Sequence, residues 1–146
     1  MAKRIQKKAM RAPDSLNEPI EYNKSFSRGL RVDLGKFCLC VISGTASIDK
    51  RGRTVNRNNF QDQVQRTFDN ITALLKSENR DWHDIVQTRC YLKNMKKHYK
   101  EFNEFRNRFY QKHKLSPFPA SVCVEARLCR PELLVEIEAL AVFEKR

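Results

Sequence analysis

The chain has 146 residues and carries 29 Lys and Arg against 17 Asp and Glu, a formal net charge of +12, in a length that suits one cored domain and not two. Hydrophobic residues make up 40% and nine residues are Phe, which excludes global disorder despite 32% charged residues. No apolar run approaches the roughly 20 residues of a membrane span, and the opening MAKRIQKKAMRAP lacks the apolar stretch of a secretory signal, so the expectation is a soluble, cytoplasmic protein with no membrane partner.

Residues 1 to 18 read as a basic, flexible arm, with Lys3, Arg4, Lys7, Lys8 and Arg11 unaccompanied by acid over the first 11 positions, and residues 19 to 146 as a single domain. Two extended segments, about 22 to 32 and 36 to 42, meet at Leu34-Gly35 in a hairpin signal. Asn58 or Asn59 caps a helix whose apolar positions Phe60, Val64, Phe68, Ile71 and Leu75 step by three and four. Ile85 to Leu92 has the length and β-branched content of a buried strand. A second helix spans about 95 to 113 on the stripe Met95, Tyr99, Phe102, Phe105 and Phe109, with most of its basic residues on the opposite side, and ends before Pro117 and Pro119. Val122, Val124, Ala126 and Leu128 then alternate with Ser121, Cys123, Glu125 and Arg127, and after a turn at Cys129 to Pro131 a last strand runs from Leu133 to Phe143, with Val135, Ile137, Ala139 and Ala141 facing one way. Pairing of these last two strands across a turn between Leu128 and Cys129 sets Ser121 opposite Glu136. The order ββαβαββ predicts an α+β fold, a sheet with two helices on one face.

The five cysteines, Cys38, Cys40, Cys90, Cys123 and Cys129, are odd in number and scattered in apolar runs, which suits buried thiols in a reducing compartment. Cys38 and Cys40 share a strand face, but no second pair completes a zinc set, and His83, His98 and His113 lie 15 residues apart, so no metal is expected. The basic clusters in the arm and from Lys93 to Lys114 read either as solvated surface or as phosphate-attracting patches, which keeps RNA open as a partner.

The segments SGTASID from Ser43, QVQRTFDNITALL, DIVQTRCYLKNM, FNEFRNRFY, PFPASVCVEARL and VEIEALAV together resemble the YjgF/Rid family of reactive intermediate deaminases, also called L-PSP endoribonucleases, across about residues 20 to 144. The resemblance implies a chorismate mutase-like fold, a homotrimer around a central barrel, and ligand clefts between neighbouring subunits. A strand apolar on both faces, such as Phe37 to Ile42, fits such cover by another subunit. It also implies hydrolysis of small 2-imino or enamine acids to 2-keto acids and ammonia without metal or organic cofactor.

The family's chemistry relies on an arginine that holds the substrate carboxylate; here Ser121 occupies that position. A short neutral hydroxyl cannot make the paired charge-assisted bonds of a guanidinium, so deaminase chemistry is expected to be altered or lost. Arg127 lies on the same strand face about 20 Å away and cannot substitute from there, whereas Arg28 or Arg89 can enter a cleft from elsewhere. By the same resemblance Phe26, Ser43, Gly44 and Asn103 take ligand-binding positions and Glu136 and Cys123 catalytic ones. Glu136 reads as a catalytic or water-positioning acid or as an ordinary surface residue, and Cys123 as a modifiable thiol or a buried structural one. Gly44 reads as a conformational requirement or a point of close ligand approach. Three readings follow: a trimer binding a small imine, carbonyl or carboxylate metabolite, an RNA-binding protein or endoribonuclease, and a regulatory or chaperone-like protein on the same scaffold.

Overall fold

The computed structural model describes residues 2–146. Six strands, β1 (Lys7–Met10), β2 (Gly29–Leu34), β3 (Phe37–Thr45), β4 (Ile85–Leu92), β5 (Ala120–Glu125) and β6 (Val135–Glu144), form one sheet in the order β1-β2-β3-β6-β4-β5. All neighbours are antiparallel except β4 and β5, which are parallel and therefore need the crossover that α2 (Met95–Lys112) supplies. The other helix, α1 (Phe60–Lys76), connects β3 to β4. No helix among the described residues is long and apolar enough to cross a membrane.

The hairpin expected at Leu34-Gly35 is present, with Gly35 at a φ of +72° where a side chain would be strained. Asn59 caps α1 by accepting from the Asp62 N–H, and Asn94 caps α2 through the Lys97 N–H. Both helices lie on one face of the sheet. Val64, Phe68, Ile71, Leu74 and Leu75 of α1 are fully buried against Cys40, Ile42, Val135, Ile137, Ala139 and Ala141 of the central strands. Between the helices Phe68 stacks on Trp82 and meets Phe105 and Phe109 edge-on, which locks α2 to α1. The opposite sheet face is open and apolar, with Phe37, Val41, Val86 and Val142 each 40% exposed or more.

Several expectations change. The arm is not uniformly loose: Lys7–Met10 pairs with β2 as an edge strand, and Met10 and Leu16 are buried, because Met10 seats on the side-chain-free surface of Gly29; position 1 lies outside the described residues. The extended segment before the hairpin is shorter than expected, since Pro19–Tyr22 forms a 3₁₀ turn and β2 begins only at Gly29. On α2 the buried face is His98, Phe102 and Tyr110, whereas Tyr99 is half exposed. Of the cysteines, Cys129 is exposed. The final two strands do not pair: β4 lies between β5 and β6, so Ser121 faces Thr88 and Glu136 faces Tyr91. A crossover helix carries β5 to the outer side of β4, which removes the hairpin geometry assumed from sequence proximity.

Candidate functional site

The residues singled out in the sequence fall into two groups. Phe26, Ser43, Gly44 and Glu136 line one cleft of about 710 Å³, which Arg28 and Arg130 also border. Its floor is an irregularity in β3. The register against β6 shifts between Ile42 and Thr45, and the two residues inside the shift are Ser43 and Gly44. Ser43 is held firmly, its hydroxyl donating to the Ser27 carbonyl at 2.6 Å and its N–H to the Arg28 carbonyl at 3.0 Å.

Gly44 answers to space rather than to dihedral angle. A β-carbon there would overlap Glu136 Oε1 and sit 2.9 Å from Cδ, so the missing side chain is what admits the Glu136 carboxyl against the β3 backbone. Burial, followed by the charge of Glu138, raises the Glu136 pKa. Glu138 itself accepts a hydrogen bond from the Tyr91 hydroxyl at 3.0 Å and pairs with Arg89 at 3.8 Å, whereas Glu136 takes part in no ion pair among the described residues.

Two guanidinium groups border the same cleft. Arg28, only 3% exposed, donates from Nε and Nη2 to the backbone oxygen and Oδ1 of Asn17, and sits 5.8 Å and 5.7 Å from the ring centroids of Tyr22 and Phe26. Arg130 donates to the Gly52 carbonyl and the Thr54 hydroxyl, and lies 5.9 Å from the Tyr22 ring. Of the two arginines expected as cleft candidates, Arg28 therefore borders it. Arg89 does not; it lies beside Val41 and Glu138 in a shallow pocket on the open sheet face.

Ser121, Cys123 and Asn103 form the second group, between α2 and the outer strand β5. Ser121 Oγ accepts from Thr88 Oγ1 at 3.2 Å and from Arg106 Nη1 at 2.8 Å, and Arg106 Nη2 donates to Asn103 Oδ1 at 2.6 Å. Asn103 is oriented in turn by donating from Nδ2 to the Tyr99 carbonyl. Cys123 pairs across the parallel ladder with Cys90, and burial pushes its thiol up to about 11, so the protonated, weakly nucleophilic form prevails at neutral pH. Sequence reading missed Arg106. Its signal was the spacing: Arg106 follows Asn103 by three residues, one helical turn, which puts both on the same side of α2.

The sequence profile of the family described as Endoribonuclease L-PSP matches residues 19–143. A RutC family protein of Pyrococcus horikoshii is 29% identical over 103 residues, covering 70% of this chain and 78% of its own. The 2-iminobutanoate/2-iminopropanoate deaminase of Salmonella typhimurium is 28% identical over 111 residues, covering 76% and 83%. Among solved structures, the E. coli YjgF gene product shares 24% identity at a TM-score of 0.74 over 92% of this chain and 98% of its own. E. coli TdcF with bound serine shares 21% identity at a TM-score of 0.76, over 94% and 99% respectively. At these identities the structures establish a common fold, and with a profile match over most of its length the chain belongs to the YjgF/Rid, or L-PSP endoribonuclease, family.

Proposed function

We propose that this protein binds a small 2-oxo or 2-imino carboxylate in the Glu136 cleft, with imine hydrolysis altered by the replacement of the family arginine with Ser121. The observation that carries the reading is a half-buried carboxyl without an ion-pair partner among the described residues, Glu136, in one cleft with a bulged Ser43-Gly44 backbone and the guanidinium groups of Arg28 and Arg130. A carboxyl of raised pKa suits exchange of protons with a water that adds to the imine carbon and with the departing amine; one water enters, and the 2-oxo acid and ammonia leave. The deaminase name of one relative and the serine bound to TdcF support a ligand bearing a small carboxylate.

The assembly proposed is a homotrimer. The open face around Phe37, Val41, Val86 and Val142 is then buried by neighbouring subunits, and the Glu136 cleft of one subunit is completed by the Ser121 side of the next.

The test measures binding of 2-oxobutanoate by calorimetry from pH 5 to 9, together with hydrolysis of 2-iminobutanoate generated in situ. Affinity is expected to fall as pH rises through the Glu136 pKa, because an ionised Glu136 repels the ligand carboxylate, and Glu136→Gln removes that dependence. Absence of binding refutes the reading, as does an unchanged pH profile in Glu136→Gln. Sequence-specific RNA cleavage by a preparation that binds no oxo acid supports the endoribonuclease alternative instead.

A further inference from the structure

We infer that Arg106 is the carboxylate anchor of this protein: a guanidinium delivered from helix α2 to the side chain of Ser121, in place of one carried by strand β5. The inference rests on the small-carboxylate reading above and names the residue that makes it chemically workable.

Arg106 is restrained on three sides. Its guanidinium lies 5.2 Å from the centroid of the Phe102 ring, Nη2 donates to Asn103 Oδ1 at 2.6 Å, and Nη1 donates to Ser121 Oγ at 2.8 Å. Asn103 cannot turn to offer its amide nitrogen instead, since that nitrogen donates to the Tyr99 carbonyl at 3.0 Å. The group is therefore oriented before any ligand arrives, which lowers the entropic cost of binding.

All the partners that hold Arg106 are electrically neutral, and no carboxylate lies within ion-pair distance of it among the described residues. A guanidinium has five N–H donors, and Ser121 and Asn103 engage two of them. Three remain, in a planar fork that matches the two oxygens of a carboxylate. The other arginines differ. Arg28 is fastened to Asn17 by a pair of hydrogen bonds, Arg130 to Gly52 and Thr54, and Arg89 already faces Glu138. Arg106 alone of these four touches the position where the family arginine would be.

Ser121 then has a positive role. Its hydroxyl oxygen accepts a hydrogen bond from Arg106 Nη1, a contact that helps fix the head group in place. Thr88 donates to the same oxygen at 3.2 Å, which occupies the second Ser121 lone pair, while three Arg106 N–H donors stay available to a ligand. The chemical class this site takes is a small monocarboxylate, with the oxo or imino carbon beyond it.

The experiment uses the full chain and two ligands, 2-oxobutanoate and its uncharged methyl ester, with folding checked by thermal melts. Arg106→Gln is expected to weaken 2-oxobutanoate about 10- to 100-fold, the loss of a charge-assisted pair, and to leave the ester within about threefold. Returning a guanidinium to the strand in Ser121→Arg/Arg106→Gln is expected to recover most of the affinity for the acid. The inference is overturned if Arg106→Gln binds the acid like the wild type, if acid and ester weaken equally, or if the double variant stays as weak as Arg106→Gln. A wild type that binds the acid with a Glu136-dependent pH profile, combined with an indifferent Arg106→Gln, refutes the anchor alone. A wild type that binds neither ligand refutes both the anchor and the function it rests on.

Discussion

Substituting Gly44 by Ala tests whether the Glu136 carboxyl sits where it does because position 44 has no side chain. The added β-carbon would overlap Oε1 and approach Cδ to 2.9 Å, whereas ordinary contact begins at 3.4 Å, so Cδ must retreat by at least half an ångström and Oε1 by more. The group displaced is the end of a flexible side chain rather than backbone. The fold therefore loses little, about 1 kcal/mol for an unfavourable rotamer, which is a melting shift of about 3 to 4 °C at this chain length. The carboxyl, by contrast, leaves its half-buried seat, and its raised pKa moves down toward the ordinary value. A displacement near 1 Å of a group that acts on the reacting atoms costs about 100-fold in rate.

The assay is carboxyl carbon NMR of glutamate-labelled protein across pH 3 to 9, comparing wild type with Gly44→Ala and using Glu136→Gln to assign the resonance. In the wild type Glu136 titrates above the ordinary glutamate value, and folding stability falls as pH rises from the unfolded carboxyl's pKa to the raised native one, because over that interval the native state holds more protons than the unfolded chain. In Gly44→Ala that interval narrows. An unchanged Glu136 titration, or a variant that fails to fold, would refute the steric reasoning.

Met10→Ala is expected to destabilise the protein by about 2 to 4 kcal/mol in urea unfolding, since Met10 is 1% exposed and seats β1 on Gly29; a change under 0.5 kcal/mol would mean that β1 is dispensable. For the same reason, deletion of residues 1 to 11 is expected to lower stability as well as remove positive charge, so RNA retention is better compared between wild type and a Lys7→Glu/Lys8→Glu variant at several salt concentrations. Alkylation with iodoacetamide at pH 8 is expected to label the exposed Cys129 first and Cys123 far more slowly, its thiol being pushed up to about 11, as read by mass spectrometry of the digested protein. Faster labelling of Cys123 would contradict its half-buried, protonated state.

Residue patterning exposed most of the scaffold. The three-and-four spacing from Phe60 to Leu75 specifies the buried face of α1, and Asn59 its start, through interactions confined to a few neighbouring residues. The alternation Val135, Ile137, Ala139, Ala141 specifies the core face of β6 in the same local way. Motif resemblance also singled out Phe26, Ser43, Gly44 and Glu136, which come from three widely separated stretches and line one cleft.

Sequence could not decide strand neighbours. Ser121 and Glu136 are near in the chain and were paired on that ground, yet β4 lies between them, because a parallel strand must be reached by a crossover, and α2 carries the chain to the side of β4 away from β6. Nor could it show that Gly44 makes room for a carboxylate 92 residues away, that Met10 closes the far sheet edge on Gly29, or that Arg106 reaches across to Ser121. Length, charge, the buried face of α1 and the core face of β6 were determined by the sequence alone, since each depends on composition or on residues within a turn or two. The tertiary structure alone decided which side chains meet, because those contacts depend on the order of strands and on the sub-ångström space left between them.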